Sequence, residues 1–401
     1  MTDIIRDRFN ALRDGLAARY LEREVEIDLA LHAILAGEHM LTIGPPGTAK
    51  SQIIRDIAKS FGGRFFYNLM DRFTTKEDLF GPPDLKAIKE GHFRRVSNGM
   101  LQEANFAFFD EIFKTSSAAA NSMLTAINER AYKDGDEWID IPLIAAFAAS
   151  NELPSDREEL GAFFDRFLIR RFVTYIKEPK NFVSMLRLPE TPEPLPQLSF
   201  EHLREAREAV AAIKFPESAE KLMLDIRATL DLEGIVASDR RWRQTTKVLR
   251  ASAWLKGYDQ VREEDFQILQ HCLWQSPQEI KTVLRIILQH ANPMEEKVVD
   301  LLDSLEEIEE DVRRMVKRVQ SDPSPAAKKE MTENGIEWWT KLQDIAKEVR
   351  SIRIQAERDG RDTTMIDSAR SRVEQVALLV GADAMGLRNM QNFVDKQLNI
   401  D

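Results

Sequence analysis

Apolar positions follow two rhythms along the chain. Up to about residue 187, short apolar runs alternate with helix-length stretches: His39–Ile43, Arg64–Leu69, Phe106–Phe109, Leu143–Ala149 and Phe172–Ile176. Such runs, too short for helices and lacking polar alternation, predict strands of a mostly parallel sheet covered on both faces. The segment LPETPEPLPQL then brings Pro189, Pro192, Pro194 and Pro196 close together. Prolines at this density continue neither a helix nor a central strand, so residues 188–198 read as an extended linker. From 199 to about 290 the pattern is helical, broken near Phe215-Pro216, Glu233-Gly234, Lys256-Gly257 and Ser276-Pro277. From 291 a heptad seam appears in Leu301, Leu305, Ile308, Val312, Met315 and Val319. Trp339, Leu342, Ile345, Val349 and Ile352 continue it, and Ile366, Ala369, Val373, Val376 and Val380 form a third stripe. Three amphipathic helices with short breaks fold back most economically as a bundle. The expected division is an α/β core over 1–187, a linker over 188–198, an all-α domain over 199–290 and a helical bundle over 291–401.

Composition narrows the picture. A chain of 401 residues with 43% apolar and 31% charged side chains fills more than one core. A formal charge of -11 argues against a mainly electrostatic binder of nucleic acid or membrane surfaces. The single cysteine, Cys272, permits no intramolecular disulfide and no cysteine-based zinc site, and the six histidines include no HExxH. No run approaches the ~20 apolar residues of a spanning helix, and the N-terminus carries no signal-like segment. A cytoplasmic setting without membrane insertion is expected.

The richest stretch is Leu41-Thr-Ile-Gly44-Pro45-Pro46-Gly47-Thr48-Ala49-Lys50-Ser51. A strand ends at Ile43, and a helix with apolar Ile53, Ile54, Ile57 and Ala58 begins near Lys50. Between them, a loop of small residues can curl its backbone N–H groups around a polyphosphate, with a helix N-terminus behind it. Lys50 would reach the β- and γ-phosphates of ATP, and the Ser51 hydroxyl would ligate Mg²⁺. The pattern GxxxxGK[ST] asks for Gly where this chain has Ala49, a substitution expected to be tolerated if that residue has ordinary helical dihedrals.

Further on, Asn105-Phe-Ala-Phe-Phe109 runs into Asp110-Glu111, an apolar strand delivering two carboxylates at its end. Alternation along a strand points the two side chains differently and allows two roles. Asp110 would hold the Mg²⁺ shell, and Glu111 would orient and deprotonate the attacking water. Leu143–Ser150 is another apolar strand, followed by Asn151, which could bind the same water or the γ-phosphate because ends of neighbouring parallel strands converge on one crevice. Ala131–Ile141 reads as a hairpin around Lys133-Asp-Gly135-Asp136.

These elements in this order, with FFDEIFK, ANSMLTAINER and GAFFDRFLIRRF between and after them, resemble the MoxR family of AAA+ ATPases. SDRRWRQTTKVLRASAWLKG is similar to its RavA-like branch. The similarity covers roughly residues 10–275. It implies an α/β fold: an AAA+ P-loop αβα core with a parallel five-stranded sheet, an all-α lid, and a homo-hexameric ring holding ATP between subunits. It also implies an insertion within Asp71–Gly99 and an axial role for the Ala131–Ile141 hairpin. By position, Asn151 matches sensor 1. Arg166 matches the arginine finger that reaches a neighbour's γ-phosphate, with Arg170 and Arg171 as alternates. Arg240 is the sensor 2 candidate ahead of Arg241, and Tyr20–Glu24 would lie against the adenine. The resemblance further implies ATP hydrolysis and chaperone-like remodelling or maturation of a protein client, with a von Willebrand factor A domain protein as partner. A nucleic-acid-translocating ring is the alternative. The β-rich module of some RavA-like proteins has no room between the C-terminal helices. Trp338-Trp339 is expected to anchor the bundle core.

Overall fold

The computed structural model describes residues 2–92, 94–134, 137–153, 164–359 and 363–384. Its central sheet contains β1 (Met40–Ile43), β2 (Phe65–Leu69), β3 (Phe106–Asp110), β6 (Ala145–Ser150) and β7 (Ile169–Phe172), in the order β2-β3-β6-β1-β7. Every pairing is parallel. The central strands β1 and β6 are buried along their whole length, which matches their lack of polar alternation. Helix Glu24–Ala36 packs on β1 and β7, and helix Lys50–Ser60 on β3 and β6. Strands β4 (Ala131–Asp134) and β5 (Glu137–Asp140) form the separate antiparallel hairpin, whose tip at 135–136 lies outside the described residues.

One strand differs from the sequence expectation. The fifth strand is Ile169–Phe172, in register from Met40↔Ile169 to Ile43↔Phe172, so the chain leaves the sheet near where Phe172–Ile176 was expected to enter it. Its two arginines hide the strand from an apolar pattern. Arg170 is fully buried, and its guanidinium donates to the carbonyls of Phe164 (3.0 Å), Phe167 (3.1 Å) and Trp274 (2.5 Å).

Helices Phe200–Ala212, Glu217–Leu232, Asp239–Leu255 and Glu279–Ala291, with the 3-10 segment Glu263–His271, make up the all-α part. Ser199 and Ser238 cap two of these helices, each accepting a backbone N–H with its hydroxyl. Between sheet and helices the proline-rich segment has no regular structure but is fastened down. Arg19 donates to Glu193 O, Leu198 N donates to Ser60 O at 2.8 Å, and Leu195 lies where a side chain on Gly15 would be.

Packing divides the chain into two compact units, Met1–Val283 and Leu284–Asp401. In the second, helices Pro293–Ser321, Pro325–Arg358 and Thr364–Leu379 pack on one another around the predicted heptad residues. Asn292 and Ser324 cap the first two, each followed by a proline whose missing N–H would be unbonded there anyway. Trp338 and Trp339 are both buried in this core.

Candidate nucleotide site

The loop between β1 and helix Lys50–Ser60 is shaped by close backbone approaches. Gly44 N donates to Ser150 O at 2.9 Å, and a Cβ on Gly44 would stand 2.2 Å from Val173 O, so only glycine fits. Gly47 has φ 77°, in the left-handed region. Ala49 also has a left-handed backbone, φ 64° and ψ 13°, so the condition on which alanine was expected to be tolerated at this position is not met. The turn into the helix demands that conformation whichever side chain sits there.

Lys50 Nζ donates to the loop's own carbonyls, Gly44 O at 2.6 Å and Pro45 O at 2.9 Å. Burial holds its ammonium pKa below the usual lysine range, while the carboxylates of Asp110 and Glu111 pull it back up. Thr48 Oγ1 donates to Pro45 O at 3.0 Å. The sequence reading assigned Arg23 no individual role. It is buried, and it donates through Nε to Thr48 O (3.2 Å) and through Nη2 to Thr174 O (2.7 Å), clamping the loop to the strand exit. Nearby, Tyr20 donates to Asp56 Oδ2 at 2.8 Å.

Asp110 ends β3 and Glu111 begins the turn after it, so the two carboxylates meet different partners through that turn rather than through the strand alternation expected from the sequence. Asp110 Oδ1 accepts from Glu111 N at 3.1 Å, and Asp110 Oδ2 accepts from Tyr67 Oη at 3.3 Å. Glu111 turns sharply with φ 52° and ψ 41°, leaving the sheet plane. Its Oε1 accepts from Asn151 Nδ2 at 2.5 Å, and its Oε2 lies 3.3 Å from Lys114 Nζ. Lys114 and Tyr67 were not singled out in the sequence. The first was legible as a lysine one turn after the glutamate; the second depends on strand pairing.

The donor set suits Mg²⁺. Ser51 in the first helical turn and Asp110 offer hard oxygens, and Mg²⁺ keeps waters and phosphate oxygens as its other ligands. No cluster of three or more His, Cys, Asp or Glu among the described residues could hold a metal on its own.

The arginines separate clearly. Arg170 is bonded as above, Arg171 pairs with Glu26 at 2.9 Å, and Arg241 is buried with its guanidinium engaged by the Asp165–Leu168 segment. Arg166 lies in a short helical turn, and its Nε is buried without a hydrogen-bond partner among the described residues. The start of its motif, residues 161–163, lies outside them. Arg240 donates to Asn128 Oδ1 at 3.2 Å and bears on His39, just before β1 begins. The phosphate loop follows the other end of β1, about 13 Å away by strand rise, so Arg240 is not brought to Lys50 of its own chain.

Residues 7–189 match the family model of the MoxR domain in the MoxR-vWA-beta-propeller ternary systems, and residues 218–287 match an AAA lid domain. An uncharacterized protein of Methanocaldococcus jannaschii is 36% identical over 365 residues, covering 90% of this chain and 94% of that one. The chain belongs to the MoxR family of AAA+ ATPases. A second uncharacterized protein of that organism is 38% identical over 300 residues, 73% of this chain and 79% of that one. A crystal structure of a candidate ATPase from Cytophaga hutchinsonii shares the fold, with a TM-score of 0.61 and 20% identity over 73% of this chain and 96% of that chain. The matched MoxR model names the vWA and beta-propeller systems and does not name the RavA-like branch. In this MoxR ATPase, no helix among the described residues is long and apolar enough to cross a membrane.

Proposed function

We propose that this MoxR ATPase hydrolyses ATP with Mg²⁺ in a homo-hexameric ring and uses the cycle, with a von Willebrand factor A domain protein, to remodel or mature a protein client. The observation that carries hydrolysis is the clasp between Asn151 Nδ2 and Glu111 Oε1 at 2.5 Å, at neighbouring strand ends beside the phosphate loop. A carboxylate and an amide donor joined in this way support the reading that Glu111 activates the attacking water and Asn151 helps to hold it. Lys50 leaves the carbonyls of Gly44 and Pro45 to meet the phosphates, and Gly44, Pro45, Pro46, Gly47, Thr48, Ala49 and Ser51 cradle them. When bound, Mg²⁺ neutralises charge on the phosphate oxygens; Ser51 and Asp110 would hold it. Arg166 supplies the finger to the adjacent copy. Arg240 keeps the sensor 2 role by its place in the motif, while its bond to Asn128 Oδ1 puts it by the start of β1 rather than by the loop. The family description itself motivates the von Willebrand factor A partner. A protein client fits the hairpin, where Asp134, Glu137 and Asp140 outnumber Lys133 and give a nucleic-acid backbone little to grip.

Glu111→Gln should bind ATP with Mg²⁺ and turn over at least about tenfold more slowly. Steady-state hydrolysis beside calorimetric binding tests this, and unchanged turnover would remove Glu111 from the water-activating role.

A further inference from the structure

Arg241 is 1% exposed, at the start of helix Asp239–Leu255. Its Nη2 donates to Asp165 O at 3.0 Å and Phe167 O at 3.3 Å, the carbonyls on either side of Arg166. Nη1 donates to Leu168 O at 2.9 Å and Cys272 O at 2.5 Å. Nε and Nη2 together fork onto Asp165 Oδ1 at 3.2 and 3.1 Å. Arg170 grips the same turn from β7, through Phe164 O and Phe167 O, and its guanidinium lies 3.7 Å from the centre of the Phe164 ring. Two buried arginines thus fix the main chain before and after Arg166, whose own Nε is buried with no hydrogen-bond partner among the described residues.

A buried guanidinium is costly to desolvate, and apolar residues would hold a turn at least as cheaply. What a fork of N–H donors adds is orientation of the groups it grips. We propose that Arg241 is a positioning residue. It locks the backbone around Arg166 and so makes the guanidinium offered to a neighbouring copy follow the orientation of helix Asp239–Leu255. The inference rests on the reading of Arg166 as a finger acting between copies.

Full-length Arg241→Lys keeps the charge and loses the fork. It should lower kcat at least about tenfold while KM for ATP stays within about threefold, because the variant's own phosphate loop is untouched. Assemblies mixed from two inactive variants then locate the defect. Arg241→Lys mixed with Lys50→Ala should recover hydrolysis, since the former supplies an intact nucleotide site and the latter an intact finger. Arg241→Lys mixed with Arg166→Ala should not. Asp165→Asn, a milder change to the same clamp, should behave alike and guards against a folding defect in the first variant. Recovery with Arg166→Ala, or with neither partner while Arg166→Ala and Lys50→Ala complement each other, would overturn the proposal. If that last pair fails to complement in verified mixed assemblies, the finger reading itself has failed.

Discussion

At Ala49 the backbone is left-handed, a conformation that costs an L-residue about 1–2 kcal/mol and glycine almost nothing. Ala49→Gly should therefore raise stability by about 0.5–1 kcal/mol in urea unfolding, where an exposed helical position would show the reverse. A loss of stability would mean that the turn is not held at this angle in solution. His39 supports a second prediction. It is buried, accepts from Ala146 N at 3.0 Å and bonds Ile127 O at 3.1 Å, which requires the neutral ring. Burial lowers its pKa from 6.5 to about 3. The folded value lies below the unfolded one, so its contribution is complete above about pH 6.5 and is lost as pH falls toward 3. Stability should fall with acidification by up to about 1.4 kcal/mol per pH unit. His39→Asn should flatten that slope in unfolding curves at pH 7 and 5. Asp110, Glu111 and Asn151 were legible because each stands where an apolar run stops, and Lys50 because a loop of small residues leads from such a run to the start of a helix. Arg23 was not, because it reaches Thr48 and Thr174 through the fold.

Among elements, the strands were legible wherever burial on both faces left an uninterrupted apolar run. β7 defied that rule because Arg170 lies in its middle and is satisfied by carbonyls from Phe164 to Trp274, partners that only tertiary structure supplies. The bundle helices were the most legible elements, since a heptad stripe reports its own partner face. Leu342, 0% exposed in that core, provides the test. Leu342→Ala should destabilise the helical core by about 2–5 kcal/mol, seen as an earlier loss of helical signal on heating the full chain. A shift no larger than that of an exposed substitution such as Lys341→Ala would mean that the helices do not pack along this seam.

On the scale of the molecule, the parallel sheet and all-α lid were implied by the order of the motifs, while a ring and its client lie beyond what one chain displays. Glu111→Gln held with ATP and Mg²⁺ should sediment as a hexamer and retain a von Willebrand factor A domain protein that the Lys50→Ala variant releases. A chain that remains monomeric at all concentrations while hydrolysing at full rate would refute the ring. The stretch between sheet and lid adds a mechanical consequence. It is pinned by Arg19 at Glu193, by Gly15 against Leu195 and by Ser60 at Leu198. A leash nailed down from Glu193 to Leu198 has no slack there, so a swing of the lid against the sheet, if the proposed cycle drives one, would pivot outside that stretch, and spare glycines spliced into it should leave such a swing intact.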